Sequence, residues 1–200
     1  MLELINLAFD YTDKPLLRGI SLAVNPGELL HIRGANGSGK TTLLRLIAGL
    51  IKPSDGVIRY QNKEIHDDLS WYQQYICYVG HKTGLSKQLT LRENLLFDLK
   101  NQHLSDNVDI LFDKFDLGSL TELPYGLLSM GQQRKGALLR LCISKAKIWL
   151  LDEPFVALDS QGIETLLIFM HEHLANEGQI ILSSHQSISL TSRNHQEYYL

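Results

Sequence analysis

The sequence predicts an α/β fold: a parallel-sheet core, a small antiparallel β subdomain at the start of the chain, and an α-helical subdomain at about 84–140. Three observations predict it. Two apolar stretches, 2–9 and 20–24, are joined and closed by short turns, which suggests antiparallel pairing. The last third runs strand, helix, strand, an order that implies parallel strands. Between about 84 and 140 the apolar residues recur at helical spacing, and strands resume only at Ile148-Trp149-Leu150-Leu151.

Element by element, the strand at 2–9 passes through the turn 11–15 to the strand at 20–24, and Asn25-Pro26-Gly27-Glu28 closes it. Leu29-Leu30-His31-Ile32 reads as a strand. A helix follows with Leu43, Leu44, Ile47 and Leu50 at helical spacing, ending near Gly49 before Pro53. Strands at 57–60 and 75–79 come next. Thr90-Leu91-Arg92-Glu93 fits a capping box, in which each side chain satisfies the other residue's free backbone donor, and so starts a helix over 91–99. Further helices are expected at 109–115 and 131–144, the latter with Leu138, Leu141 and Cys142 facing inward. Ile163, Leu166, Leu167, Met170 and Leu174 form one helical face, and 179–183 is an apolar strand. The polar tail after about residue 190 carries no clear signal. His171 and His173, two apart on a helix, point to different faces and are expected to be solvated.

Length and composition narrow the function. Two hundred residues suit one compact domain or a core with a subdomain, and a 44% hydrophobic, 20% charged chain can build a core without disulfides or metals. The net charge of −3 leaves no basic nucleic-acid footprint at whole-chain level, although it permits a local patch; no nucleic-acid partner is expected. Cys77 and Cys142 make no C-x-x-C pair and read as small core residues. No apolar run approaches the ~18 residues of a membrane span, so any membrane role comes through a partner.

The chemistry is carried by Gly34-Ala35-Asn36-Gly37-Ser38-Gly39-Lys40-Thr41-Thr42, which fits G-x-x-x-x-G-K-S/T between a predicted strand and a predicted helix. This is the phosphate cradle of a P-loop NTPase. Glycines permit turns that aim backbone N–H groups at phosphates, and the helix adds its unsatisfied N-terminal donors. Lys40 would reach the β- and γ-phosphates of ATP, and the Thr41 hydroxyl would ligate Mg²⁺. Asp152 and Glu153 follow the apolar strand 148–151, at the sheet edge where α/β proteins bind ligands. There Asp152 would bind Mg²⁺ directly or through water, and Glu153 would orient or deprotonate the attacking water.

Over nearly its full length the chain resembles the ATP-binding subunit of ABC transporters. Leu128-Ser129-Met130-Gly131-Gln132 is similar to that family's L-S-G-G-Q signature and opens the helix at 131–144. The resemblance implies that Ser129, Gly131 and Gln132 of one subunit cover the γ-phosphate held by the cradle of a second copy. It further implies that Asp159, in Ala157-Leu158-Asp159, links the two ATP sites, although as a helix cap it would need no such role. His185 resembles the switch histidine that touches the γ-phosphate, and Tyr11 the aromatic that stacks on adenine. Two positions depart from the pattern. His81 stands where most relatives carry a glutamine that contacts Mg²⁺ and water, and imidazole offers a different geometry and a pH-dependent charge. Met130 replaces a glycine whose backbone does the binding.

Gly80-His81-Lys82, Gln132-Gln133-Arg134, Asp152-Glu153-Pro154-Phe155 and Ser184-His185-Gln186 narrow the resemblance to the ATPases of the bacterial haem exporter used in cytochrome c maturation (the CcmA family). What this implies is a homodimer on a multi-pass permease at the cytoplasmic face of the inner membrane, touching it through residues around 82–100. The ATPase would drive haem delivery or release of the haem chaperone without binding haem itself. The motor of another small ABC transporter, or an ABC ATPase outside transport, shares the same motifs.

Overall fold

The computed structural model describes residues 1–11, 14–98, 108–185 and 195–200. Two sheets organise them. In the first, β1 (Leu2–Tyr11), β2 (Lys14–Val24), β4 (Asp55–Tyr60) and β5 (Lys63–Glu64) pair antiparallel in the order β2-β1-β4-β5. The second is wholly parallel, in the order β6-β7-β8-β3-β9, from β6 (Ile76–Val79), β7 (Ile148–Asp152), β8 (Gln179–Ser183), β3 (Leu29–Arg33) and β9 (His195–Tyr199).

Burial explains why these segments are strands. Every residue of β7 and β8 is buried, as are four of the five in β3, the pattern of parallel strands covered on both faces. β2 begins at Lys14, well before the expected residue 20. Its Pro15 lacks an N–H, and β2 is an edge strand on which that loss is tolerated. The tail also departs from expectation, because 195–199 forms β9 beside β3. Its residues are partly buried or exposed, so an edge strand of this composition lacks the apolar run that marks β7 or β8.

Among the described residues six α-helices complete the frame: α1 (Lys40–Ile47), α2 (Leu69–Tyr72), α3 (Leu91–Asp98), α4 (Val108–Lys114), α5 (Met130–Ile143) and α6 (Ser160–Ala175). The capping box at α3 forms as expected: the Thr90 N–H donates to Glu93 Oε2 at 2.7 Å, and the Glu93 N–H donates to Thr90 Oγ1 at 3.1 Å. Residue 99, the expected end of that helix, lies outside the described residues, as does residue 100 of the expected membrane contact. One apolar cluster joins the parallel sheet to α5 and α6, and a second lies between the two sheets around α1. In the second, the fully buried Tyr72 donates its hydroxyl to the Ile47 carbonyl at 2.8 Å and so satisfies the C-terminal end of α1. Among the described residues no helix is long and apolar enough to cross a membrane.

His173 is not solvated. Its ring stacks on Trp149 at 3.9 Å with 10° between planes, whereas His171 is exposed as expected. The two residues sit on different faces, but the face of His173 turns toward β7. Burial pushes its imidazole down to about 4. The folded state thus favours the neutral ring: the stabilisation is complete above the ordinary value near 6.5 and is lost as the pH falls through 4. The loss is on the order of 3 kcal/mol. His173→Phe keeps a stacking ring without a titrating group. Urea midpoints of this variant are expected to fall less between pH 7.5 and pH 4.5 than those of the parent, and equal falls would show that His173 contributes nothing to acid sensitivity.

Candidate functional site

The loop between β3 and α1 folds as a cradle for physical reasons visible at its glycines. Gly34 has φ +148°, and a Cβ there would lie 2.7 Å from both the Leu200 carbonyl oxygen and Ser38 Oγ, so only glycine fits. No side chain caps α1, whose first N–H groups face the loop. Lys40 is buried, and its Nζ donates to the Gly34 and Ala35 carbonyls at 2.9 Å each. Thus a cation already sits inside the cradle, held by backbone oxygens that an anion can replace.

Asp152, at the end of β7, is 2% exposed and meets the cradle directly. The Thr41 hydroxyl donates to its two carboxylate oxygens at 3.1 and 2.9 Å, and Ser183 Oγ at the end of β8 donates to Oδ1 at 2.7 Å. A hydroxyl and a carboxylate held together form the hard-oxygen donor set that suits Mg²⁺.

Glu153 is strained, with φ +50°. Its N–H donates to the Ser183 carbonyl and Oγ, both at 3.1 Å, and this pins the turn. Glu153 Oε1 is buried without a hydrogen bond, and His185 Nε2 stands 3.3 Å from it. A buried carboxylate oxygen with an unused lone pair beside an imidazole is a proton acceptor looking for a water.

Lys40, Thr41, Asp152, Glu153 and His185 line one cavity of about 590 Å³ together with Tyr11, Asn36, Gly37, Gly39, Thr42 and His81, whereas Gly34, Ala35 and Ser38 do not line it. Tyr11 is half exposed at its mouth and meets Phe9 edge-on at 4.8 Å. His81 is exposed and also lines a neighbouring cavity of about 650 Å³ with Arg134, Met130 and Glu153. Ser129, Gly131, Gln132 and Asp159 do not line the cradle's cavity. Ser129 and Gln132 cap α5 reciprocally: Ser129 N–H donates to Gln132 Oε1 at 2.9 Å and Gln132 N–H to Ser129 Oγ at 3.3 Å. A Cβ on Gly131 would meet the Ala157 carbonyl at 2.7 Å, so glycine permits the close approach of this helix start to the loop after Glu153. Met130 is 77% exposed. Asp159 caps α6 through the Gly162 N–H at 2.8 Å and pairs with the buried Lys135 at 2.9 Å, which holds its carboxyl below the usual range.

Arg134 stands in the string Gln132-Gln133-Arg134, but motif spacing does not reveal its role. Its buried guanidinium donates to four main-chain carbonyls: Gly80 at 2.8 Å, Asp152 at 2.7 Å, Glu153 at 2.9 Å and Pro154 at 3.3 Å. Burial pulls its pKa down, and the nearby Asp152 carboxylate opposes that. One signal was legible, since Arg134 precedes Leu138 and Leu141 by four and seven residues and so shares the inward face of the helix.

Comparison with known proteins agrees with this geometry. The family model described as "ABC transporter" matches residues 17–156. The cytochrome c biogenesis ATP-binding export protein CcmA of Legionella pneumophila (strain Paris) is 48% identical over 200 residues, the whole of both chains. The protein of the same name from Yersinia pestis bv. Antiqua (strain Nepal516) is 39% identical over 97% of this chain and 90% of its own. Among solved structures, the dimeric post-hydrolysis state of the ATP-binding cassette MJ0796 bound to ADP and Pi has a TM-score of 0.82 at 25% identity, covering 93% of this chain and 88% of that one. With its sequence matched end to end and its fold matched in two sheets and a cradle, the chain belongs to the ABC transporter family as an ATP-binding, ATP-hydrolysing subunit.

Proposed function

We propose that this chain is the ATPase of an export complex in c-type cytochrome biogenesis, coupling ATP binding and hydrolysis to haem delivery or to release of the haem chaperone. Residues 1–200 act as one nucleotide-binding domain with a helical subdomain at about 84–140. Two copies work on a multi-pass permease at the cytoplasmic face of the inner membrane. The observation that carries the enzymatic part is the convergence of Lys40, Thr41, Asp152, Glu153 and His185 on one cavity. The cytochrome assignment is supported by relatives named for that process along the whole chain.

The chain's own groups account for the chemistry. Lys40 exchanges the Gly34 and Ala35 carbonyls for β- and γ-phosphate oxygens, while the backbone N–H groups of 36–42 cradle them. Thr41 and Asp152 would hold Mg²⁺, with His81 near enough to the cavity to take part, and the ion when bound neutralises charge on the phosphates. Glu153 takes the proton of the attacking water through its unpaired oxygen, and His185 orients the carboxylate and the γ-phosphate. Tyr11 stacks on adenine at the cavity mouth. Ser129, Gly131 and Gln132 lie outside the cavity, which supports their covering the γ-phosphate of a second copy, with Asp159 on the connecting loop. Leu96 and Phe97 on α3, 44% and 81% exposed, offer an apolar surface for the membrane subunit.

Three outcomes are expected. Glu153→Gln retains ATP affinity, traps a dimer visible by size-exclusion chromatography with ATP, and loses turnover by about 10²–10⁴-fold; near-normal hydrolysis would remove Glu153 from the base role. Arg134→Lys keeps the charge but not the planar fork, so kcat falls by roughly tenfold or more at unchanged KM. An unchanged kcat would mean that the clamp on Glu153 does not position it. Deletion of the gene abolishes covalent haem on c-type cytochromes, read by haem staining of membranes, whereas intact cytochromes would refute the export role.

A further inference from the structure

Apart from the cradle, two buried imidazole nitrogens and a carboxylate meet across the last pair of strands. Parallel register brings them together: His31 in β3 pairs with Glu197 in β9, and Leu29 pairs with His195. Residues two apart share a face of a strand, so His31, His195 and Glu197 emerge on the same side. One ligand atom from each lies within 4.8 Å of the others, and the two rings stack at 6.0 Å with 22° between planes.

Tautomer logic makes the arrangement unusual. His31 is fully buried, and its Nε2 lies 3.0 Å from the Ser184 carbonyl, an acceptor, so Nε2 carries the proton and donates. That leaves Nδ1 with a lone pair, without a hydrogen-bond partner, 3.8 Å from Glu197 Oε1. His195 Nε2 is likewise buried without a partner. Glu197 Oε1 accepts from Arg33, but among the described residues nothing donates to His31 Nδ1, and a cation between that nitrogen and the carboxylate would satisfy both.

We propose that His31, His195 and Glu197 bind a divalent transition-metal ion, which the ligand set marks as zinc. Two imidazoles and a carboxylate suit Zn²⁺, with a water completing four-coordination. Ligating histidines characteristically donate their second nitrogen to a backbone carbonyl, as His31 does to Ser184. Arg33 Nη1 donates to Glu197 Oε1 at 3.1 Å and to Oε2 at 3.3 Å, and the Tyr199 hydroxyl donates to Oε2 at 2.8 Å, so Glu197 would ligate through Oε1 with Arg33 kept on Oε2. The ion would staple β9 to β3 beside the nucleotide site, since the Leu200 carbonyl abuts Gly34 and Ser184 precedes His185. The site is distinct from the Mg²⁺ position at Thr41 and Asp152 and does not rest on the export role.

The test uses the full chain, stripped by chelator and free of nucleotide, titrated with ZnCl₂ by isothermal calorimetry. One ion per chain is expected, with a Kd weakened at least about tenfold in both His195→Ala and Glu197→Gln. Saturating zinc is expected to raise the Tm of the parent by several degrees and to leave that of His195→Ala unchanged. Both substitutions lie on an edge strand, and circular dichroism reports whether each variant is folded. Absence of stoichiometric binding would overturn the proposal. So would binding that survives both substitutions, since it would belong to other histidines.

Discussion

The geometry of the nucleotide site depends on a buried guanidinium that has main-chain carbonyls for hydrogen-bond partners. Arg134 reaches from α5 to the carbonyls of Asp152, Glu153 and Pro154 after β7 and of Gly80 after β6. Removing such a charge from water costs several kcal/mol, and only a full set of charge-assisted hydrogen bonds offsets it. The planar fork of arginine, with five N–H donors, can reach four carbonyls at once, more than the three donors of a lysine allow. The result is that the helix opened by Ser129 is tied by hydrogen bonds to the turn that presents Glu153. The start of α5 and the Glu153 turn are thereby joined through one side chain.

Around that clamp the site is prepared for an anion and a cation together. Lys40 rests on carbonyls in the cradle, Thr41 and Ser183 hold Asp152 from two elements, and Glu153 keeps one carboxylate oxygen unpaired. The strain at Glu153, in a left-handed conformation, is sustained by its N–H bonds to Ser183 and by Arg134. Phosphoryl transfer asks for positioning and charge more than for covalent chemistry, and each of these contacts supplies one or the other. The second cluster lies within the paired β3 and β9, where β9 lays Glu197 beside His31 and its C-terminal end brings Leu200 against the cradle.

Much of this was legible in the residues. Local signals are strong where one short stretch satisfies several constraints at once. The cradle has a strand before it, a helix after it and glycines at the turns, and the capping boxes at Thr90 and Ser129 are complete within four residues. β2, β9 and His173 were read wrongly or not at all, and all three for one reason. Pro15, the polar His195-Gln196-Glu197 run and a histidine on a helix each look like loop or surface in isolation. Only a neighbouring strand, β1 or β3, or the face of Trp149 gives them partners.

The sequence by itself determined the family, the phosphate loop, the acids after β7 and most of the order of strands and helices, because those follow from motifs, spacing and periodicity along the chain. Tertiary structure alone decided that Arg134 clamps the turn of Glu153, that His185 stands 3.3 Å from that carboxylate, and that His31 meets His195 and Glu197. These contacts join residues from 19 to more than 160 positions apart. No local pattern encodes such pairs. They arise from strand order and register, which are settled only when the two apolar clusters pack.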